Sequence, residues 1–315
     1  MYKIISKTIL LLGLIFPAVS FAGVVDINLS PEIPEPNQTI SAELSGTLVD
    51  LDSSDIYWYL DKEIQKHGIG EKSFSFTAGD VDEKKDLEAI VIIPDGRRID
   101  LQRTIEPTNI DLLWEANTYT PPFYRGKALP TYKSSIKVLA LPSGKNINTK
   151  FIYNWSIDSL NNIAGSSGYN QKTFTTFGSY AGYSRKINVS MTSFDKFIKA
   201  KKTIKIESVA PELVFYENNP LMGTIFNNAL YGIREIKSND FSVKAEPYYV
   251  SRGELKNVQY KWGVGKDRVE SKDNKEKMIT FTKPENGSGK VQVQAHFKNT
   301  ANTYQEARSG VYLSY

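Results

Sequence analysis

The sequence predicts an all-β protein built as three tandem antiparallel β-sandwiches behind an N-terminal signal peptide. Three observations carry this. A Trp recurs at about 100-residue intervals in one setting, strands of period-two hydrophobicity keep step with it, and a short apolar leader opens the chain.

The leader comes first. Lys3 and Lys7 give a positive start, Thr8 to Phe16 (TILLLGLIF) gives the apolar run, and Pro17 ends it. Ser20-Phe21-Ala22 places small residues where a signal peptidase needs them, so cleavage after Ala22 and a mature start at Gly23 are expected. An uncleaved anchor is the alternative, because Thr8–Val25 is just long enough to span a bilayer. The expected location is extracellular, cell-surface or periplasmic, with a membrane partner only if the leader stays.

The repeat follows. IYWYLD (56–61), YNWSID (153–158) and YKWGVG (260–265) share an aromatic or aliphatic residue, a Trp and an aliphatic residue at alternate positions. Alternate residues face one side of a strand, so Trp58, Trp155 and Trp262 should each enter a core. Before them lie Ile40-Ser41-Ala42, Val138-Leu139-Ala140 and Val243-Lys244-Ala245. After them come Phe76-Thr77, Phe174-Thr175 and Phe281-Thr282, which are 18, 19 and 19 residues beyond their Trp. Next are Leu87/Ala89/Val91/Ile93, Ile187/Val189/Met191 and Val291/Val293/Ala295/Phe297. Ile99/Leu101, Ile204/Ile206 and Val311/Leu313 close the copies. Five matched strands around a core Trp predict immunoglobulin-like sandwiches. With no Cys, the Trp should pack on aliphatics such as Val189 or Val293 instead of a disulfide. The expected boundaries are 1–22 for the leader and 23–106, 107–208 and 209–315 for the sandwiches. Pro107 and Pro211 mark the two junctions and favour a semi-rigid rod.

Composition limits the function classes. The chain has 315 residues, 40% hydrophobic and 23% charged, which excludes a disordered chain and a bundle of membrane spans. Its net charge is +4; losing Lys3 and Lys7 leaves 37 basic against 35 acidic residues. That balance is too small to imply nucleic acid. The absence of Cys excludes thiolate metal sites, cysteine nucleophiles and a lipidated N-terminal cysteine. Only His67 and His296 are available for imidazole chemistry, and both read as surface residues, His67 in a polar turn.

Copies two and three carry a segment that copy one does not show. DLLWEANTYTPPFYRGKAL (111–129) aligns without gaps on ELVFYENNPLMGTIFNNAL (212–230), matching Trp114 with Phe215. A first strand and then a loop crossing the sandwich edge are expected. Two roles stand open. Trp114 and Phe215 could plug the seam against the preceding sandwich, or Tyr119, Phe123 and Tyr124 could present stacking platforms for a sugar or a protein. Tyr216, beside Phe215, joins the candidate set.

The motifs SPEIPEPNQTISAEL, IYWYLDKEIQKHGIGEKSFSFTAG, DLLWEANTYTPPFYRGKALP and PELVFYENNPL make the chain similar to a family of uncharacterised secreted proteins of small-genome, candidate-phyla bacteria. The resemblance implies tandem Ig-like domains outside the inner membrane, linked to pili or other surface structures. It implies no activity.

No chemistry motif competes with this. There is no G-x-S-x-G, and Asn286-Gly287-Ser288-Gly289-Lys290 has Pro284 where a phosphate loop needs its first Gly. Acidic loops at Asp50/Asp52/Asp55 and Asp80/Asp82/Glu83/Asp86 lack EF-hand spacing and read as solvated turns. The expectation is a non-catalytic rod for adhesion or surface-structure assembly, with a protein or glycan partner, no nucleic acid, no metal and no cofactor. A glycan-binding module using the aromatic inserts is the alternative, and a hydrolase with an interdomain site is the more distant one.

Overall fold

The computed structural model describes residues 25–143, 150–158, 166–194, 198–269, 275–285 and 287–315. The expected leader and cleavage point, and Asn286, lie outside these residues. The chain divides into two compact units. One takes the chain up to Glu32, Thr39–Thr77 and Lys85–Thr104; the other takes Ile33–Gln38, Ala78–Lys84 and Ile105–Tyr315. Among the described residues no helix is long and apolar enough to cross a membrane.

The first sandwich contains β1 (Val25–Ser30), β2 (Thr39–Gly46), β3 (Asp55–Leu60), β4 (Glu63–Ile69), β5 (Ser73–Thr77), β6 (Lys85–Ile92) and β7 (Arg98–Ile105). Its sheets are β1-β2-β5 and β4-β3-β6-β7. Alternation sorts the side chains: Leu87, Ala89 and Val91 of β6 are fully buried, while the residues between them are not. Asp61 and Lys62, both at positive φ, make the two-residue turn between β3 and β4. His67 therefore lies on a strand and not in a turn. Its ring stacks on Tyr57 at 4.2 Å, and its Nε2 lies 3.1 Å from an Asp55 carboxylate oxygen.

The second unit holds two further sandwiches. One is built from β8 (Asn109–Ala116), β9 (Thr118–Tyr119), β10 (Ser135–Ser143), β11 (Phe151–Ile157), β12 (Gly168–Tyr169), β13 (Thr173–Phe177), β14 (Ser184–Ser193) and β15 (Lys199–Glu207). Its sheets are β13-β10-β8 and β12-β11-β14-β15. The other uses β16 (Glu212–Asn219), β17 (Gly223–Ala229), β18 (Ile233–Glu235), β19 (Asp240–Tyr248), β20 (Val250–Ser251), β21 (Val258–Val264), β22 (Asp267–Val269), β23 (Met278–Thr282), β24 (Lys290–Asn299) and β25 (Glu306–Ser314). Its sheets are β17-β16-β19-β23 and β18-β25-β24-β21-β22.

All three sandwiches place the first, second and fifth core strands on one sheet and the third, fourth, sixth and seventh on the other. That is an immunoglobulin-like order with the fourth strand moved to the second sheet. Trp58, Trp155 and Trp262 are 0%, 0% and 3% exposed, as their apolar strand neighbours require. Each indole Nε1–H donates to a backbone carbonyl just before the fifth strand: Glu71 at 2.8 Å, Gln171 at 2.9 Å and Glu276 at 2.9 Å. A buried N–H needs such an acceptor.

The Trp do not pack on aliphatics alone. Phe74 and Phe174 meet Trp58 and Trp155 from the fifth strand, and Phe215 stacks on Trp262 from the first. This corrects the register of the repeat. The carbonyls of Lys72, Lys172 and Lys277 accept from Leu44, Ala140 and Ala245. Phe74, Phe174 and Ile279, each two residues beyond its Lys, are thus equivalent, and Phe76 and Phe281 sit two residues further along.

Copy one also has a first strand, β1. What distinguishes the copies is the connection to the second strand, which is residues 31–38 in the first, 117–134 in the second and 220–239 in the third. In the third copy the longer connection returns as β17 against β16.

Candidate functional site: the aromatic joint

The two aromatics matched by sequence pack within their own sandwiches. Leu112 faces Ala140, while Phe215 faces Ala245, so the structural equivalent of Phe215 is Leu112 and the gapless alignment is displaced by two residues. An even shift keeps side chains on the same face, so both rings turn into their own sandwich. Phe215 is fully buried in the third core. Trp114 is half-buried against the second core, and the Lys127 ammonium lies 3.3 Å from its ring centroid. Burial lowers the pKa of that ammonium.

The other four candidates, Tyr119, Phe123, Tyr124 and Tyr216, come together where the second sandwich meets the third. The local sequence explains how. Pro121-Pro122-Phe123-Tyr124 is a turn closed by Tyr124 N–H to Pro121 O at 2.9 Å, with Pro122 pre-setting φ at its second position. It presents both rings toward the third sandwich. Phe123 stacks on Phe226 at 3.9 Å and meets Tyr216 edge-on at 5.5 Å. Tyr124 shares a hydroxyl hydrogen bond with Tyr249 at 2.9 Å and lies edge-on to Tyr248. Tyr216 and Tyr248 pair their hydroxyls at 2.8 Å. Gly126 is required here, since a Cβ would fall 2.3 Å from the Tyr124 hydroxyl.

Backbone pairing reinforces the rings. Strand β9 pairs antiparallel with β20. Tyr249 N–H donates to Tyr119 O at 2.7 Å, and Arg252 N–H donates to Asn117 O at 3.1 Å. On the far side, the Asn302 and Gln305 amides both donate to Tyr132 O, at 2.8 and 2.9 Å. Gln305 is fully buried, and its Oε1 accepts from Ser251 N–H at 3.0 Å.

One charge lies inside the joint. Glu246 is 4% exposed; its carboxylate is 2.8 Å from the Lys244 ammonium and accepts from the Tyr119 hydroxyl at 3.4 Å. Burial, with Glu246 adding to it, pushes the Tyr119 phenol up to about 12. Burial likewise raises Tyr248 and Tyr249, each helped by the hydroxyl partner from Tyr216 or Tyr124. The phenols stay protonated at neutral pH, so the joint holds hydrogen bonds and not a nucleophile.

Sequence reasoning missed Glu246, Tyr248, Tyr249, Phe226 and Gln305. A signal was present: from Ala245 to Ser251 every residue is buried, and AEPYYVS lacks the alternation of a half-buried strand. Near the joint, Tyr132, Tyr180 and Tyr304 form a second ring cluster, with Tyr132–Tyr180 stacked at 4.3 Å and Tyr180 and Tyr304 remaining 48% and 60% exposed.

The acidic loops act as turns. Asp50 accepts from Ser53 Oγ at 2.6 Å and from the Asp52 and Ser53 amides, and the Ser53 bond holds its carboxyl below the ordinary range. Among the described residues no group of three or more His, Asp or Glu is placed to hold a metal ion.

No protein-family model matches the chain, and no curated protein sequence matches it. Solved structures are similar in fold. Fibronectin(III)-like modules of Clostridium thermocellum CbhA are 15% identical, covering 59% of this chain and 94% of theirs, with a TM-score of 0.30. The three N-terminal domains of the bacteriophage RB49 Highly Immunogenic Outer Capsid protein are 10% identical over 93% of this chain and 98% of theirs, at 0.26. SGBP-B of the Bacteroides ovatus mixed-linkage glucan utilization locus, solved with a mixed-linkage heptasaccharide, is 13% identical over 92% and 70%, at 0.23.

Proposed function

We propose that the chain is an exported, non-catalytic module of three Ig-like sandwiches, with boundaries near 106/107 and 208/209, that serves at the cell surface in adhesion or surface-structure assembly. The aromatic joint is the observation that supports this reading. Aromatics that could have lined an open site are used to fasten two sandwiches to each other, as a load-carrying element needs. Glu246 is the only buried carboxylate among the described residues, and its partner is a lysine. Glycoside hydrolysis by a carboxylate pair therefore has no support at the joint. The test is recovery of the native protein from the cell envelope or medium, with N-terminal sequencing and attachment assays on a deletion strain. Gly23 as first residue and lost attachment or surface structures are expected. A retained Met1 in the membrane fraction would turn the leader into an anchor, and unimpaired attachment with intact surface structures would overturn the role.

The exposed Tyr132–Tyr180–Tyr304 cluster favours a second reading, in which these rings stack on a glycan. Tyr180→Ala with Tyr304→Ala should abolish glycan-array signals if that holds and leave them unchanged if it does not.

A further inference from the structure

We propose that the outer face of the third sandwich's five-stranded sheet is a binding trough for an acidic polysaccharide of the uronic-acid type. A cleft of about 270 Å³ lies there across β22, β21, β24 and β25. Its floor is Gly263 and Gln294, abreast on adjacent strands, and Gly310 stands opposite Gln294 on the next strand. Neither glycine is needed for a left-handed backbone. Glycine weakens a strand interior, and what it supplies here is room. A Cβ on Gly263 would come 3.0 Å from the Gln294 amide nitrogen, and one on Gly310 would come 3.3 Å from that of Gln292.

The next row along the same face is Lys261, His296 and Arg308, directly abreast. Arg268 stands opposite Gly263 on β22, and Lys266 lies in the preceding turn. Among the described residues Lys261, Lys266, Arg268 and Arg308 form no ion pair, and all four are exposed. His296 is shared with Glu306 at 3.1 Å, and Asp267 is the one carboxylate in the lining. A chain whose net charge is only +4 thus gathers four exposed cations against one lining carboxylate on one concave surface. Such a surface attracts polyanions.

Three features favour a uronate polymer over other anions. Lys261 and Arg308 stand two strands apart, about 10 Å at ordinary sheet spacing, which suits carboxylates on alternate sugars of an extended chain crossing the strands. The Gln294 amide offers a donor and an acceptor for sugar hydroxyls. Single-stranded nucleic acid wants a row of stacking rings, and the lining's only aromatic, Trp262, is buried.

This adds a ligand class to the surface reading above and depends on it only for bringing the polymer within reach. The test is calorimetric titration of the full mature chain with polygalacturonate, a neutral mixed-linkage glucan and a single-stranded DNA oligonucleotide. Polygalacturonate should bind, more weakly as salt rises; the neutral glucan should not bind. Lys261→Gln with Arg308→Gln should weaken binding about tenfold or more at an unchanged melting temperature, and Lys261→Arg with Arg308→Lys should retain it. Absent polygalacturonate binding, binding indifferent to the double Gln variant, or tighter binding of the oligonucleotide would each overturn the proposal. Retained trough binding by a protein that is not exported would overturn the surface reading alone.

Discussion

Trp155 illustrates what one buried ring does in this protein. It fills the second core and donates its N–H to Gln171 O. Trp155→Ala should cost about 3–5 kcal/mol by leaving a cavity. Trp155→Phe keeps an aromatic ring but strands the Gln171 carbonyl, and should cost about 1–3 kcal/mol. Denaturant melts of both variants will separate packing from hydrogen bonding. Tyr119 gives a pH prediction. Its phenol is raised from 10 to about 12 in the folded chain, so the protonated form is the one the fold favours. The stability this contributes is complete below pH 10 and is lost as pH rises through 12. Melting temperature should fall across that window, and Tyr119→Phe should reduce the slope. A slope identical in the variant would mean other phenols carry it.

Elements are positioned by what their loops do. The Pro121–Tyr124 turn works because Gly126 leaves space for the Tyr124 ring. Gly126→Val should therefore push Tyr124 off Tyr249 and speed amide exchange at Tyr249 and Arg252, whose N–H groups hold β9 to β20; Tyr124→Phe should do the same more mildly. The sandwiches, the three core Trp and the gathering of aromatics in the insert were legible in the sequence, because period-two patterning and a repeated Trp report directly on burial. The strand register was not. Phe74 and Phe76 both lie on one face of β5, so either could be matched with Phe174, and the deciding contact is an indole bond to a backbone carbonyl that has no residue signature. EK, QK and EK at 71–72, 171–172 and 276–277 did mark it, though dipeptides so common carry little weight alone. For Trp114 and Phe215 the failure has the same form: a gapless alignment hid a shift of two.

At the scale of the molecule, the second and third sandwiches share rings, a strand pair and buried amides, so they should open together. Hydrogen exchange should report one opening free energy for β11 and β21 in the wild type. Phe123→Ala, which removes the ring stacked on Phe226, should split it into two. Equal exchange in that variant would show that β9–β20 and Gln305 suffice. The partners in this joint lie far apart along the chain, with 127 residues separating Tyr119 from Glu246 and 173 separating Tyr132 from Gln305. Synthesis runs from the N-terminus, so the second sandwich can close long before its fastening exists. Until Tyr216, Phe226, Tyr248 and Tyr249 emerge, Phe123 and Tyr124 face water as an adhesive patch on an otherwise finished domain. Chains arrested at Pro211 should bind a hydrophobic dye and self-associate, whereas chains that include the third sandwich should do neither. The insert therefore makes the half-made protein vulnerable for as long as its third domain is missing, and gives a quality-control chaperone something to hold.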